Sequence, residues 1–257
     1  MSYFEAVLLG IVQGLTEFLP VSSSGHLVLT EALLEVKQPG VAFEVVVHLG
    51  TLLSVLVYFR KQVLSLIAAL FDSKKHEERR LIVFLIAGTI PAVVFGLLFK
   101  DSIESAFGAP MLAGVMLIVT GLILISTRFV RGGLERLNLP RSLLIGVGQA
   151  LAIMPGISRS GSTIATGLLV GVEPGKAAEF SFLLAIPAIA GAAVLSLGDL
   201  EALPTELIGP YLVAALTAFA VALVAVYIVM ETVRRGRLHY FAYYCFAAGA
   251  AALYLFA

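Results

Sequence analysis

Charge is scarce in this chain. Only 13% of its 257 residues are Asp, Glu, Lys or Arg, against about 25% in a soluble domain. Basic and acidic residues balance at 17 each, so the net charge draws the chain to no nucleic acid. The single cysteine, Cys245, excludes an internal disulfide, and its apolar surroundings mark it as a buried thiol. No Walker-type GK[ST] loop, no HExxH and no CxxC occurs, so a nucleotide cradle or a zinc site has no motif to stand on. The N-terminus lacks the basic stretch of a cleavable signal peptide and carries Glu5 and Glu17 instead.

Apolar residues fill the space that charge leaves. They make up 60% of the chain, and the mean hydropathy is +1.01. A membrane span takes roughly 20 apolar residues. Six stretches qualify: about 43–59 (the run can extend to 71), 81–99, 110–128, 177–197, 208–230 and 239–256. Two more, 3–34 and 142–171, are apolar but interrupted by LPVSSSGH and MPGISRSGS. Each reads as two short helices around a Ser/Gly-rich break. The expected fold is one all-α integral membrane domain over 1–257, with six transmembrane helices and two re-entrant half-helix pairs.

The two interrupted segments are related. GIVQGLTEFLPVSSSGH (10–26) aligns without gaps on GVGQALAIMPGISRSGS (146–162). Gln13 falls on Gln149, Ser22 on Ser158, Ser24 on Ser160 and Gly25 on Gly161, while Glu17 faces Ile153 and Ser23 faces Arg159. The chain therefore divides into halves of about 1–130 and 131–257. Paired broken segments in two halves of a membrane protein point to its binding site.

Basic residues set the expected orientation. With both broken segments re-entrant, 14 of the 17 Lys and Arg residues fall in the loops 60–80, 128–141, 173–176 and 231–238, all on one side. The other side holds Lys37 and Lys100, and Arg159 lies in the second break. The basic side is then cytoplasmic, both termini are extracytoplasmic, and the two pairs enter from opposite faces as an inverted repeat.

Ionisable residues at membrane depth are costly and mark function. Arg159 follows Pro155 and Gly156 and sits among Ser158, Ser160, Ser162 and Thr163, where a helix restarts. A helix N-terminus with free N–H groups, hydroxyls and a guanidinium fork is a phosphate site. Glu17 lies one helical turn beyond Gln13 and can hold a divalent metal, orient a nucleophile or act as a base. Ser22, Ser23 and Ser24 are candidate nucleophiles or helix caps. His26 can move protons near neutral pH. His48 reads as a hydrogen-bonded helix histidine, with Glu44 four residues earlier as its partner.

QGLTEFLPVSSSGH and PGISRSGST resemble the two signature motifs of the undecaprenyl-pyrophosphate phosphatase, or bacitracin-resistance, family. FEVVVHLGTLLSV and AAEFSFLLAIPA resemble further family segments, so the likeness runs over essentially the whole chain. It implies hydrolysis of undecaprenyl diphosphate at the extracytoplasmic face of the cell membrane, recycling of the cell-wall lipid carrier, and bacitracin resistance. It also implies a divalent cation, Mg2+ or Ca2+, a long-chain polyprenyl diphosphate and membrane lipids as partners, and room for a homodimer. By position, the catalytic set falls on Glu17, Ser23, His26 and Arg159, the phosphate-binding set on Ser158, Arg159, Ser160 and Thr163, and the metal ligands on Glu17 and Gln13. Where many members have Glu, Gln13 supplies a carbonyl but no charge. A second lipid-phosphatase superfamily also has an SGH element, but its Arg-Pro motif is absent here. A polyprenyl-phosphate carrier with the same anion site is the alternative from another class. It needs no nucleophile.

Overall fold

The computed structural model describes residues 1–35, 42–130, 133, 135–201 and 203–256. Thirteen α-helices run in chain order among the described residues: α1 Tyr3–Thr16, α2 Ser23–Leu34, α3 Ala42–Tyr58, α4 Arg60–Phe71, α5 His76–Leu98, α6 Lys100–Phe107, α7 Pro110–Ser126, α8 Leu139–Leu151, α9 Arg159–Leu169, α10 Pro174–Leu195, α11 Leu197–Glu201, α12 Thr205–Arg234 and α13 Tyr240–Phe256. A 3-10 turn covers Thr127–Phe129, and an isolated bridge joins Glu135 and Val172.

Among the described residues, four helices are long and apolar enough to cross a membrane: His76–Leu98, Pro110–Phe129, Pro174–Leu195 and Thr205–Arg234. The expected spans at 43–59 and 239–256 are helices of 17 residues each, about 26 Å long and at the lower end of what crosses a roughly 30 Å core. The run from 43 does not continue straight to 71. It turns by 85° between Tyr58 and Arg60. Beyond the turn, α4 buries Leu66 and Ala69 and leaves Leu64, Ile67 and Phe71 exposed.

Both interrupted segments form half-helix pairs. Helix α1 starts in a capping box: Ser2 Oγ accepts from the Glu5 amide and Glu5 Oε2 accepts from the Ser2 amide. It stops at Thr16, four residues before Pro20, which has no N–H to extend it. Asn138 caps α8, accepting from the Arg141 amide.

Packing repeats between the halves. Helix α1 packs on α12 as α8 packs on α5, and α3 packs on α12 as α10 packs on α5. Exchanging the halves turns each of these contacts into its counterpart, and the α7–α13 and α3–α10 contacts each into itself. Small residues allow the close approaches. A Cβ on Gly10 would sit 2.5 Å from the Ala214 carbonyl oxygen, and one on Gly14 2.6 Å from that of Ala218. In the other half, a Cβ on Gly146 would lie 2.5 Å from the Gly88 carbonyl oxygen.

The basic loops gather at one end. Glu135 and Val172 bridge, Arg141 pairs with Glu135 at 3.4 Å, Lys176 pairs with Glu179, and a cavity is lined by Arg60, Lys61 and Glu179. Gly175 lies beside Arg234. Arg131 and Lys37 lie outside the described residues.

Candidate active site

The loops between α1 and α2 and between α8 and α9 meet tip to tip. A Cβ on Gly25 would sit 2.8 Å from the Gly156 Cα, and one on Gly161 would sit 3.2 Å from the Pro20 Cβ. Pro20 and Gly156 are equivalent in the repeat, so each tip's second glycine faces the other tip's turn. Ser22 caps α2 by accepting from the Gly25 amide at 3.3 Å, and Ser158 caps α9 by accepting from the Gly161 amide at 3.0 Å. Each capping hydroxyl also lies beside the serine two residues on, Ser24 at 3.3 Å and Ser160 at 3.2 Å. Besides the Arg159–Glu17 pair, the Gly156 amide donates to Ser22 Oγ at 3.1 Å and Ser160 Oγ donates to the Leu19 carbonyl at 3.3 Å across the junction.

The junction needs unusual backbone. Ser22 has φ +69° and Gly156 φ +95°. A Cβ on Gly156 would fall 2.5 Å from the Ala113 carbonyl oxygen. Thr120 adds a brace, accepting from the Ser158 amide and donating to the Gly156 carbonyl. Gly156→Ala is therefore expected to destabilise the purified protein by about 2 kcal/mol or more. A thermal melt in detergent reads this as a lowered midpoint.

Glu17 stands at the centre of the junction, its side chain 4% exposed. One carboxylate oxygen accepts from Arg159 at 2.6 Å. The other accepts from Ser23 Oγ at 2.6 Å and Gln13 Nε2 at 3.1 Å, and lies 3.2 Å from His48 Nε2. Four side chains from α1, α2, α3 and α9 thus converge on one carboxylate. Arg159 also donates to the Ser181 carbonyl of α10 at 3.4 Å. Thr163 Oγ1 donates to the Arg159 carbonyl and lies 2.6 Å from the Ser181 hydroxyl. Arg159 is the first residue of α9, where first-turn amides have no helical carbonyl to bond. Guanidinium, capping hydroxyls and helix N-terminus lie together here, a combination whose chemistry suits an anion.

Of the residues singled out in the sequence, Gln13, Glu17, Ser23 and Arg159 come into direct contact. Ser158, Ser160 and Thr163 hold the α9 turn that presents Arg159. His26 does not join the carboxylate. Its described hydrogen bonds run to the Ser22 carbonyl and the Tyr244 hydroxyl, each at 2.8 Å. Ser22 and Ser24 serve the caps. His48 is the hydrogen-bonded helix histidine read from sequence, its Nδ1 donating to the main-chain carbonyl of Glu44 at 2.6 Å; what the sequence did not show is that its Nε2 meets the Glu17 carboxylate. Ser181 and Tyr244 were not found from sequence, because both sit in apolar spans where packing is the default. Cys245 is a buried free thiol, as expected.

A cation site can be judged from the oxygens present. Among the described residues, no group of three or more His, Cys, Asp or Glu is placed to hold a metal. However, Gln13 Oε1 is buried without a hydrogen-bond partner, one turn from Glu17. That pair fits a hard cation that draws its remaining oxygens from phosphate and water.

The sequence matches the model of the family described as "Bacitracin resistance protein BacA" over residues 6–251. The chain belongs to this family. Relatives of the BacA kind include an undecaprenyl-diphosphatase from Syntrophotalea carbinolica, 46% identical over 255 residues and 97% of each chain. Another, from Korarchaeum cryptofilum, is 42% identical over 265 residues, covering 99% of this chain and all of its own. A third, from Rhodopirellula baltica, is 44% identical over 251 residues and 95% of each chain. As a BacA family member with several apolar helices, the chain is a multi-pass membrane protein.

Proposed function

We propose that this chain hydrolyses undecaprenyl diphosphate to undecaprenyl phosphate and inorganic phosphate. The observation that carries the reading is the shared carboxylate: Glu17 accepts from the Ser23 hydroxyl on one oxygen and from Arg159 on the other. An anion site lies beside an oriented hydroxyl, with a base already attached to it.

The steps follow from these contacts. The diphosphate draws Arg159 toward its terminal phosphate, where the guanidinium and the α9 amides stabilise charge as it develops. Glu17, relieved of one partner, takes the Ser23 proton while Ser23 Oγ attacks the terminal phosphorus. The bond from phosphorus to the bridging oxygen breaks, and undecaprenyl phosphate leaves with that oxygen. Water then attacks the phosphoserine and gives a proton to His26 as the bond from phosphorus to Ser23 Oγ breaks, inorganic phosphate departs and Glu17 returns its proton to Ser23 Oγ. His26 serves the proton exchange at the entering or leaving oxygen. Glu17 and Gln13 would hold a divalent cation, Mg2+ or Ca2+, which when bound supplies further neutralisation of phosphate charge.

The orientation belongs to the same proposal: six crossings, two re-entrant pairs in an inverted repeat, and termini and site mouth on the extracytoplasmic side of the cell membrane. It is supported by the packing that maps between halves and by the basic loops gathered at one end. In that setting the reaction recycles the lipid carrier of cell-wall polymers and confers bacitracin resistance.

A carrier built on the same repeat needs the anion site but not the Ser23–Glu17 hydrogen bond, which therefore favours the phosphatase. Purified protein in detergent, where no two sides exist, separates the readings. It is expected to release phosphate from undecaprenyl diphosphate, with turnover reduced by a chelator. Binding of the lipid without phosphate release would support the carrier.

A further inference from the structure

We propose that Tyr244 is a positioning residue for His26. The proposal rests on the reading of His26 as a participant in proton exchange, and it adds a residue from the last helix to the site.

The two ring nitrogens of His26 have different partners. Nδ1 of His26 lies 2.8 Å from the main-chain carbonyl oxygen of Ser22. A carbonyl oxygen only accepts, so Nδ1 carries the ring's hydrogen. In the neutral ring, Nε2 is then a lone pair, and it lies 2.8 Å from the Tyr244 hydroxyl. The hydroxyl donates to it. The rings lie 12° from parallel with centroids 5.6 Å apart, which fixes the plane of the imidazole as well as its tautomer. A phenol suits this position because its O–H rotates. It donates to the neutral imidazole, and its oxygen can accept when Nε2 carries a proton. With Nδ1 on the Ser22 carbonyl and Nε2 on this hydroxyl, the ring gains a proton through the phenol. The phenol oxygen takes a proton from water as its own hydrogen passes to Nε2, so the same partner holds the ring before and after transfer.

The contact is not a requirement of the fold. The repeat equivalent of His26 is Ser162, whose buried hydroxyl has no hydrogen-bond partner. That tip reaches its helix restart and its capping bond, Gly161 to Ser158, without such a tie. Nor is Tyr244 a core residue. It is half exposed on α13, next to the fully buried Cys245, so its ring spends little burial on packing. What Tyr244 O–H supplies is direction to one nitrogen of one histidine.

The test is Tyr244→Phe, which keeps the ring and removes the hydroxyl. In purified protein in detergent, kcat for phosphate release is expected to fall about tenfold, the worth of one well-placed hydrogen bond, with KM within about twofold. The His26 ring nitrogens give an independent readout by 15N NMR. The wild type is expected to show hydrogen on Nδ1 and a bare Nε2, and Tyr244→Phe to shift the Nε2 resonance. Adding Tyr244→Phe to His26→Ala is expected to cost nothing further. An unchanged kcat, an unmoved Nε2 resonance, or a full tenfold loss persisting without His26 would each overturn the proposal. Wild-type turnover in His26→Ala would also overturn it, since Tyr244 would have nothing to act through, yet would leave the Arg159–Glu17–Ser23 reading standing.

Discussion

Replacing Arg159 by alanine is expected to abolish measurable phosphate release while the protein still purifies from the membrane. Two losses combine. The first is the phosphate clamp: removal of a single preorganised donor to developing charge costs roughly 10²–10³ in kcat, and a guanidinium supplies both the charge and several donors. The second is the partner of Glu17. The Arg159 side chain is 16% exposed and its carboxylate partner 4%, and removing one member of a buried pair costs about 3–5 kcal/mol because the other charge is stranded. The remaining donors to Glu17, from Ser23, Gln13 and His48, hold the carboxylate in place, so loss of activity should exceed loss of structure. Arg159→Lys keeps the charge but not the fork and should recover only part of the rate. Phosphate release by purified variants, with size-exclusion profiles as the control for folding, checks both. An Arg159→Ala protein with most of its turnover would remove this residue from the mechanism.

Glu17→Gln is expected to have the second-largest effect, a loss of at least about 10²-fold in kcat. The change conserves shape and inverts the chemistry. The carboxylate accepts from Arg159, Ser23 and Gln13 at once. A carboxamide has one oxygen to offer, and its NH2 group must face donors that already have hydrogens to place. Ser23 loses its base and Arg159 its counter-charge in a single substitution. Gln13→Glu is the informative companion. It adds a carboxylate beside Glu17 and an oxygen for a cation, so its activity should depend more steeply on divalent metal. Metal titrations of kcat for Glu17→Gln, Gln13→Glu and wild type compare the three directly.

Much of this was legible because the bilayer penalises polar residues. Glu17 and Arg159 stood out in the sequence as charges in apolar surroundings, and the alignment of 10–26 on 146–162 related the two breaks before any contact was known. The tips repeat that alignment in their caps and close approaches: Ser22 and Ser158 cap the same turn, and Gly25 and Gly161 face Gly156 and Pro20. What stayed hidden depends on which helix lies against which. His48 shares a helical face with Glu44, so its spacing named Glu44 as partner. Only the packing of α1 on α3 brings its Nε2 to Glu17. Ser181 and Tyr244 are polar atoms on apolar helices, and nothing in their local sequence says that one accepts from Arg159 and the other faces His26. The bend after Tyr58 was hidden for a different reason. The apolar residues of 62–71 continue the count of a span, and only their one-sided burial on α4 shows that the chain has turned.

The account's central claim is that Ser23, held by Glu17 and facing the Arg159 site, is the group that receives the phosphate. Undecaprenyl diphosphate labelled in its terminal phosphate, mixed with purified protein in a single turnover and quenched in acid, tests this most directly. The account predicts transient label on the peptide containing Ser23, and loss of both label and turnover in Ser23→Ala. Wild-type turnover by Ser23→Ala, with no label on protein, would contradict it.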